Sequence, residues 1–186
     1  GGGNMGGAFA RALLSCGLST PQDLLVVEPQ DGRRCALTAE LGCRVQPAIG
    51  QQVAECEVVL LAVKPQEAAP VCRELQHVLS ASQLVISIMA GVETISLQKM
   101  LGEGIAVVRA MPNLPLQAGA GMTVWFCVAT TSASSRARAR AVLAAGGTEL
   151  FVNREELIDS ATAISGSGPG YVYYLLELFT HAAEQV

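Results

Sequence analysis

The sequence predicts an α/β fold: a doubly wound sheet of mostly parallel strands, followed by the start of a second, all-helical unit cut short at the chain end. Three observations predict it. Short, near-continuous apolar runs alternate with stretches of helical period, as buried parallel strands and their crossover helices do. A glycine-rich turn, Gly1-Gly2-Gly3-Asn4-Met5-Gly6, leads directly into the first helix. The last 17 or so residues carry a helical stripe that opens on Ser165-Gly166-Ser167-Gly168-Pro169-Gly170 and is still running at Val186.

Taken in order, residues 8–16 read as a helix with apolar residues on both faces, as expected of one packed tightly on a sheet. Residues 24–28 are a short Leu/Val run ending in Glu28, a buried strand. Helical period returns over 33–41, and Gly42 stands where a helix C-terminal glycine belongs. Strand 57–63 precedes helix 66–79; strand 84–89 precedes Ala90-Gly91 and a short helix over 94–101; strand 105–110 follows. Strand 121–129, helix 134–145 and strand 148–152 extend the sheet, with strands free to run the other way. Right-handed crossovers between parallel strands then give a Rossmann-type sheet. The domain division expected is 1–153 for the sheet and 154–186 for the helical unit. In the final helix the apolar positions are Val172, Leu175, Leu176, Phe179, Ala182, Ala183 and Val186, and Pro169 falls in the first turn, where its missing N–H costs nothing.

Composition narrows the function classes. Of 186 residues 51% are apolar and 15% charged, enough to build a core and too apolar for a disordered chain. Twelve basic against 16 acidic residues give a net charge of −4, which offers no broad basic surface to a phosphodiester backbone. Nucleic acid is therefore not an expected partner. The basic cluster Arg136, Arg138 and Arg140 reads as a solvated helix face. No apolar run approaches the ~18 residues of a membrane span. The first residue already stands inside a motif, so the natural N-terminus is expected to lie upstream. None of the six cysteines form a Cys-x-x-Cys pair, and the two histidines are far apart, so no metal-ligand spacing is visible. Small buried thiols kept reduced are the ordinary reading, and they point to a reducing compartment, the cytoplasm.

The chemistry-bearing motifs stand just after strands, where the open end of a doubly wound sheet receives its ligand. In the glycine turn, Gly1 would permit a tight turn, Gly3 would let backbone approach a pyrophosphate, and Gly6 would let the helix pack close to the sheet. A slack glycine terminus is the alternative. The helix that follows at once argues against it, as does Glu28, 22 residues after Gly6, where an acid would take the adenosine ribose hydroxyls. A carboxylate there favours NAD. Arg33 and Arg34 lie just beyond and would suit a ribose 2′-phosphate, or simply form a solvated first helical turn, so NADH and NADPH both stay open. Ala62-Val63-Lys64-Pro65 follows the next strand; Lys64 either faces the cofactor crevice or begins a surface loop. In Met111-Pro112-Asn113-Leu114-Pro115 two prolines stiffen the loop around Asn113, whose carboxamide would anchor the nicotinamide or the substrate, or bond its own backbone in a turn. Residues 165–170 make an anion site from backbone amides, a hinge with an N-cap, or both. Tyr171, Tyr173 and Tyr174 read as packing residues rather than acids. No Ser/His/Asp arrangement and no catalytic acid or base stands out.

Together with Met89-Ala90-Gly91, Arg109-Ala110-Met111-Pro112-Asn113 and Ile164-Ser165-Gly166-Ser167-Gly168-Pro169, these motifs occur in an order that resembles the pyrroline-5-carboxylate reductase family over nearly the whole chain. Departures are mild: Leu114 where threonine is common, and Gly6, Met89 and Gly170 where alanine is. The resemblance implies hydride transfer from NADPH or NADH to the imine of 1-pyrroline-5-carboxylate, giving L-proline. It implies that Gly1, Gly3, Asn4, Met5 and Gly6 line the pyrophosphate. Ala62, Val63, Lys64, Pro65, Ala90, Gly91 and Asn113 would surround the nicotinamide side. Asn113, Ser165, Gly166, Ser167 and Gly168 would border the substrate pocket. It also implies a homodimer or higher homo-oligomer built by the helical unit, with a partner-supplied loop beyond Val186 completing the pocket. A related reductase, such as a β-hydroxyacid dehydrogenase or an F420-dependent NADP oxidoreductase, and a non-catalytic dinucleotide-binding module are the competing readings.

Overall fold

The structure is a computed structural model in which residues 1–185 are described. Helix α1 spans Asn4–Ser15. Strand β1 (Leu25–Val27), helix α2 (Asp31–Leu41) and strand β2 (Arg44–Gln46) follow, and β1 and β2 pair in parallel. Next come β3 (Val58–Leu61), α3 (Ala68–Gln76), β4 (Leu84–Ser87), α4 (Thr94–Leu101) and β5 (Ala106–Met111). Strand β6 (Gly121–Cys127), helix α5 (Ala133–Ala144) and strand β7 (Gly147–Phe151) complete a five-stranded sheet of order β3-β4-β5-β6-β7. Helix α6 (Glu156–Ala161), a π turn over Thr162–Gly166 and helix α7 (Gly168–Glu184) end the described chain.

Strands β3, β4 and β5 are parallel, β6 is antiparallel to β5, and β7 is parallel to β6, so the last two strands do run the other way. Side chains alternate across the pleat. Leu84 and Ile86 of β4 point to one face with Val108 and Ala110 of β5, where α1 and α5 cover them through Phe9 and Leu143. Val85 and Val107 point to the other face, covered by α3 and α4 through Cys72, Leu75 and Leu97. Each such fully buried Leu or Phe stabilises the fold by about 1.5–3 kcal/mol. Helices on both faces are what the continuous apolar runs required.

Four local differences from the sequence expectation have physical causes. Helix α1 starts at Asn4 rather than at residue 8, so Asn4, Met5 and Gly6 form its first turn. The helix expected over 66–79 is a 3₁₀ turn at Pro65–Glu67 followed by α3. Pro70 has no N–H for the Gln66 carbonyl and crowds it, so regular α-helix begins only at Ala68, with the proline in its first turn. Strand β2 is three residues of mixed polarity and carries no local signal; it exists by pairing with β1. Helix α6 was not expected either: it is six residues long and buries only Ile158. Gly42 does end α2, at φ +62°, with its N–H on the Thr38 carbonyl at 3.0 Å.

The stripe on α7 is helical as expected and Pro169 sits in its first turn, yet none of its described residues is buried. Tyr171, Tyr173 and Tyr174, expected to pack, are 64%, 55% and 64% exposed. The last stripe position, Val186, lies outside the described residues. All six cysteines are free. Burial pushes the Cys43, Cys56 and Cys72 thiols up from their ordinary range, which keeps them protonated and unreactive.

Candidate cofactor site

The glycine turn lies between the carboxyl ends of β1 and β3. A Cβ on Gly1 would stand 2.6 Å from the Ala62 carbonyl oxygen, and one on Gly2 3.2 Å from Val26. At Gly6 a Cβ would overlap the Gly1 carbonyl, so the first turn of α1 closes onto the turn itself. Gly3 is different: a Cβ there meets nothing within 4 Å. Its φ of −63° is open to any residue, so the chain does not need glycine here to fold. The space is on the ligand side. The first intrahelical bond of α1 runs from Gly7 N–H to Gly3 O at 2.8 Å, and no side chain caps the helix. The amides of Asn4, Met5 and Gly6 therefore face outward, where an anion meets unpaired N–H groups and the positive end of the helix dipole.

Beside this end opens a crevice of about 340 Å³, lined by Gly3, Asn4, Met5, Ala62, Val63, Lys64, Ile88, Met111 and Pro112. It gathers the residues that follow β3 and β5 and the one that follows β4. Lys64 is exposed at the crevice and its backbone opens the 3₁₀ turn. Ile88, Met111 and Pro112 were missed as lining residues, although their position at or just past the sheet's carboxyl edge marks them. Pro65, Ala90 and Gly91 stand outside the crevice lining. Gly91 takes φ +70°, which supplies a positional reason for glycine after β4.

Glu28 and Arg33 are not aimed at open space. Glu28 is 7% exposed, and its two oxygens accept the N–H of Gly2 and of Gln30, each at 3.0 Å. Arg33 Nε donates to the Gly2 carbonyl at 2.7 Å. The two side chains thus hold both ends of the Gly2 residue and set the course of the glycine turn. Arg34 donates to the carbonyls of Glu28 and Pro29 and to Asp31. A Glu28→Gln substitution keeps one acceptor but turns an NH₂ toward an amide donor, at a cost of about 1–3 kcal/mol. Affinity for NADH and NADPH is expected to fall together, about tenfold, in a fluorescence titration. A loss confined to NADH would instead mean that Glu28 acts on the adenosine ribose alone.

Asn113 bridges two elements: Oδ1 accepts the Met122 N–H at 2.9 Å and Nδ2 donates to Ser165 Oγ at 3.2 Å. It bonds across the fold rather than to its own turn. Ser167 closes the π turn, with N–H and Oγ both on the Thr162 carbonyl at 2.9 and 3.0 Å. Gly166 lies against Met111 of the crevice wall, its Cβ position 3.5 Å from Sδ. Gly168 meets nothing within 4 Å. Among the described residues no group of three or more His, Cys, Asp or Glu is placed to hold a metal, and no helix is long and apolar enough to cross a membrane.

A parallel pair β1-β2 beside a five-stranded sheet, with a helix N-terminus open on a glycine turn and a crevice at the strands' carboxyl ends, makes a domain of the dinucleotide-binding, Rossmann class. Residues 1–91 match the family described as NADP oxidoreductase, coenzyme F420-dependent, and residues 155–186 match the pyrroline-5-carboxylate reductase dimerisation family. The chain is 35% identical over 186 residues to the pyrroline-5-carboxylate reductase of Pseudomonas aeruginosa, covering 100% of this chain and 68% of that one. It superposes on the solved reductase of Coxiella burnetii with a TM-score of 0.89 at 34% identity, covering all of this chain and 69% of that one. The Plasmodium falciparum enzyme, solved with NADP bound, gives a TM-score of 0.86 at 26% identity, covering 100% of this chain and 67% of that one. The chain belongs to the pyrroline-5-carboxylate reductase family. It spans about two thirds of the length of these relatives.

Proposed function

We propose that the protein carrying this chain reduces the imine of 1-pyrroline-5-carboxylate to L-proline with NADPH or NADH, and that this chain supplies the cofactor half of the site. The supporting observation is that the helical segment reaches the cofactor crevice. Gly166 packs on Met111, and Ser165 accepts the Asn113 amide, so the segment matched to a dimerisation family stands at the crevice wall.

The outward amides of Asn4, Met5 and Gly6 hold the pyrophosphate, with Gly1 shaping the turn and Gly3 leaving the approach to them open. A bound nicotinamide cofactor supplies the hydride. Val63, Met111 and Pro112 form an apolar side of the crevice and fix its width, and Lys64 stands exposed at the crevice. Ala62, Pro65, Ala90 and Gly91 form the loops around it, and Glu28 and Arg33 act through Gly2. Asn113 with the 165–168 segment borders the substrate. An imine nitrogen is basic enough to carry a proton from water, which leaves its carbon electrophilic, so the chain's work is orientation rather than acid catalysis. The division falls at residues 153 and 154, between β7 and α6. The assembly is a homodimer or higher homo-oligomer made through α7 and its continuation, in the cytoplasm.

Full-length protein assayed with NADH and NADPH separately is expected to oxidise the nucleotide only when pyrroline-5-carboxylate is present. Nucleotide binding without any imine-dependent turnover would favour a non-catalytic dinucleotide-binding module instead.

A further inference from the structure

Among the described residues Arg109 is the one guanidinium sunk in the sheet. It is 1% exposed and shares its face of β5 with Val107 and Met111. Its Nη1 donates to Glu155 at 3.3 Å and its Nη2 to Asp159 at 2.5 Å, while its Nε is buried without a partner. Glu155 in turn accepts the Thr94 N–H at 2.8 Å and the Thr94 hydroxyl at 2.7 Å, at the start of α4. Three elements from distant parts of the chain meet at this cluster: β5, α4 and the α6 segment. A buried ion cluster adds little net stability over an apolar one of the same shape, but it is directional. Only one placement of α6 satisfies both carboxylates.

Four residues further along, the same strand's loop makes a second attachment, from Asn113 to Ser165. Between the two lie Met111, which lines the crevice, and the π turn packed on it. We propose that Arg109 is a positioning residue for the reductase reaction. By locking Glu155 and Asp159 onto β5, it sets where the π turn and Ser165 stand against Met111 and Asn113, and hence the spacing between the nicotinamide crevice and the substrate side of the pocket. The proposal rests on the reductase reading above. It places no role on Arg109 in holding the nucleotide, whose pyrophosphate end lies at α1.

The test uses full-length protein carrying Arg109→Met, Arg109→Lys or Asp159→Asn. With Arg109→Met, KM for pyrroline-5-carboxylate is expected to rise at least tenfold, with the Kd for NADPH within twofold of the parent. Arg109→Lys reaches only one carboxylate and should fall between. Asp159 is largely exposed, so its amide variant should fold and show the same split, smaller in size. Amide hydrogen exchange is run in parallel: residues 155–167 should exchange faster in the arginine variants while α1 and β4 keep the parent's protection. That measurement needs no turnover, so it judges Arg109 even where the parent protein itself fails to act on the imine, a result that would count against the reductase reading alone. Unchanged KM and kcat in the folded fraction, or exchange that rises evenly through the whole fold, overturns the proposal and leaves Arg109 a general stabilising residue.

Discussion

Replacing Gly3 with valine is expected to abolish useful cofactor binding while leaving the fold in place. The backbone at Gly3 is extended, with φ −63° and ψ −170°, which a β-branched residue adopts readily. The added Cβ meets nothing within 4 Å, so no neighbour in the chain opposes it. The side chain would instead fill the approach to the outward amides of Asn4, Met5 and Gly6. Losing two or more charge-assisted hydrogen bonds, each worth about 1.5–3 kcal/mol, weakens binding by more than ~100-fold. A thermal melt without nucleotide should fall only slightly below the parent's, because valine caps a helix less well than glycine, and a melt with saturating NADPH should lose its upward shift. The same experiment on Gly1→Ala is expected to behave in the opposite order. There the Cβ would stand 2.6 Å from the Ala62 carbonyl, a contact with backbone that cannot rotate away, so the apo melting temperature should fall first. Equal losses in both variants, apo and bound, would remove the distinction drawn between a glycine for the fold and a glycine for the ligand.

A charge on α7 should have the next largest effect. Leu176→Glu in the full-length protein is expected to convert a dimer to monomer and remove activity. Leu176 is 55% exposed and Phe179 is 64% exposed, and no described residue of this 17-residue helix is buried. An apolar face of that kind, left uncovered by the described residues, marks a packing surface, and the homo-oligomer proposed above places it between subunits. Burial of one leucine contributes about 1.5–3 kcal/mol, and a two-fold symmetric interface contains the residue twice. Removing both weakens a dimer by at least ~100-fold before the cost of burying two carboxylates is added. Sedimentation at micromolar concentration would resolve the change, and NADPH affinity should stay near the parent's because the crevice is lined by α1 and the ends of β3, β4 and β5 and by no residue of α7. A variant that remains dimeric would place the interface elsewhere.

Much of this was legible in order along the chain. The apolar runs at β3, β4 and β5 and the helical periods between them are local properties, so those elements stand close to where their patterns place them. The glycine turn was legible for the same reason, since backbone approach and tight turning are properties of glycine itself. Strand β2 was not, because three residues such as Arg44, Val45 and Gln46 declare nothing until β1 lies beside them. The 3₁₀ turn before α3 had a signal, Pro70, that a period count passes over.

The site divides along the same line. Glu28 stands at the spacing of a ribose-binding acid, and its folded partners are the Gly2 and Gln30 amides. Asn113 reads from its prolines as a fixed carboxamide, and it is fixed, but onto Met122 and Ser165. The α7 stripe declares an amphipathic helix without declaring what it packs against. By itself the sequence determined the alternation of strands and helices, the helix start on the glycine turn and the motifs of the family, all of which follow from neighbours within a few residues. Tertiary structure alone decided what Glu28, Arg109 and Asn113 touch. Their most distant partners, Gly2, Glu155 or Asp159, and Ser165, lie 26, 46 or 50, and 52 residues away, and only the closing of the sheet brings such groups within hydrogen-bonding distance.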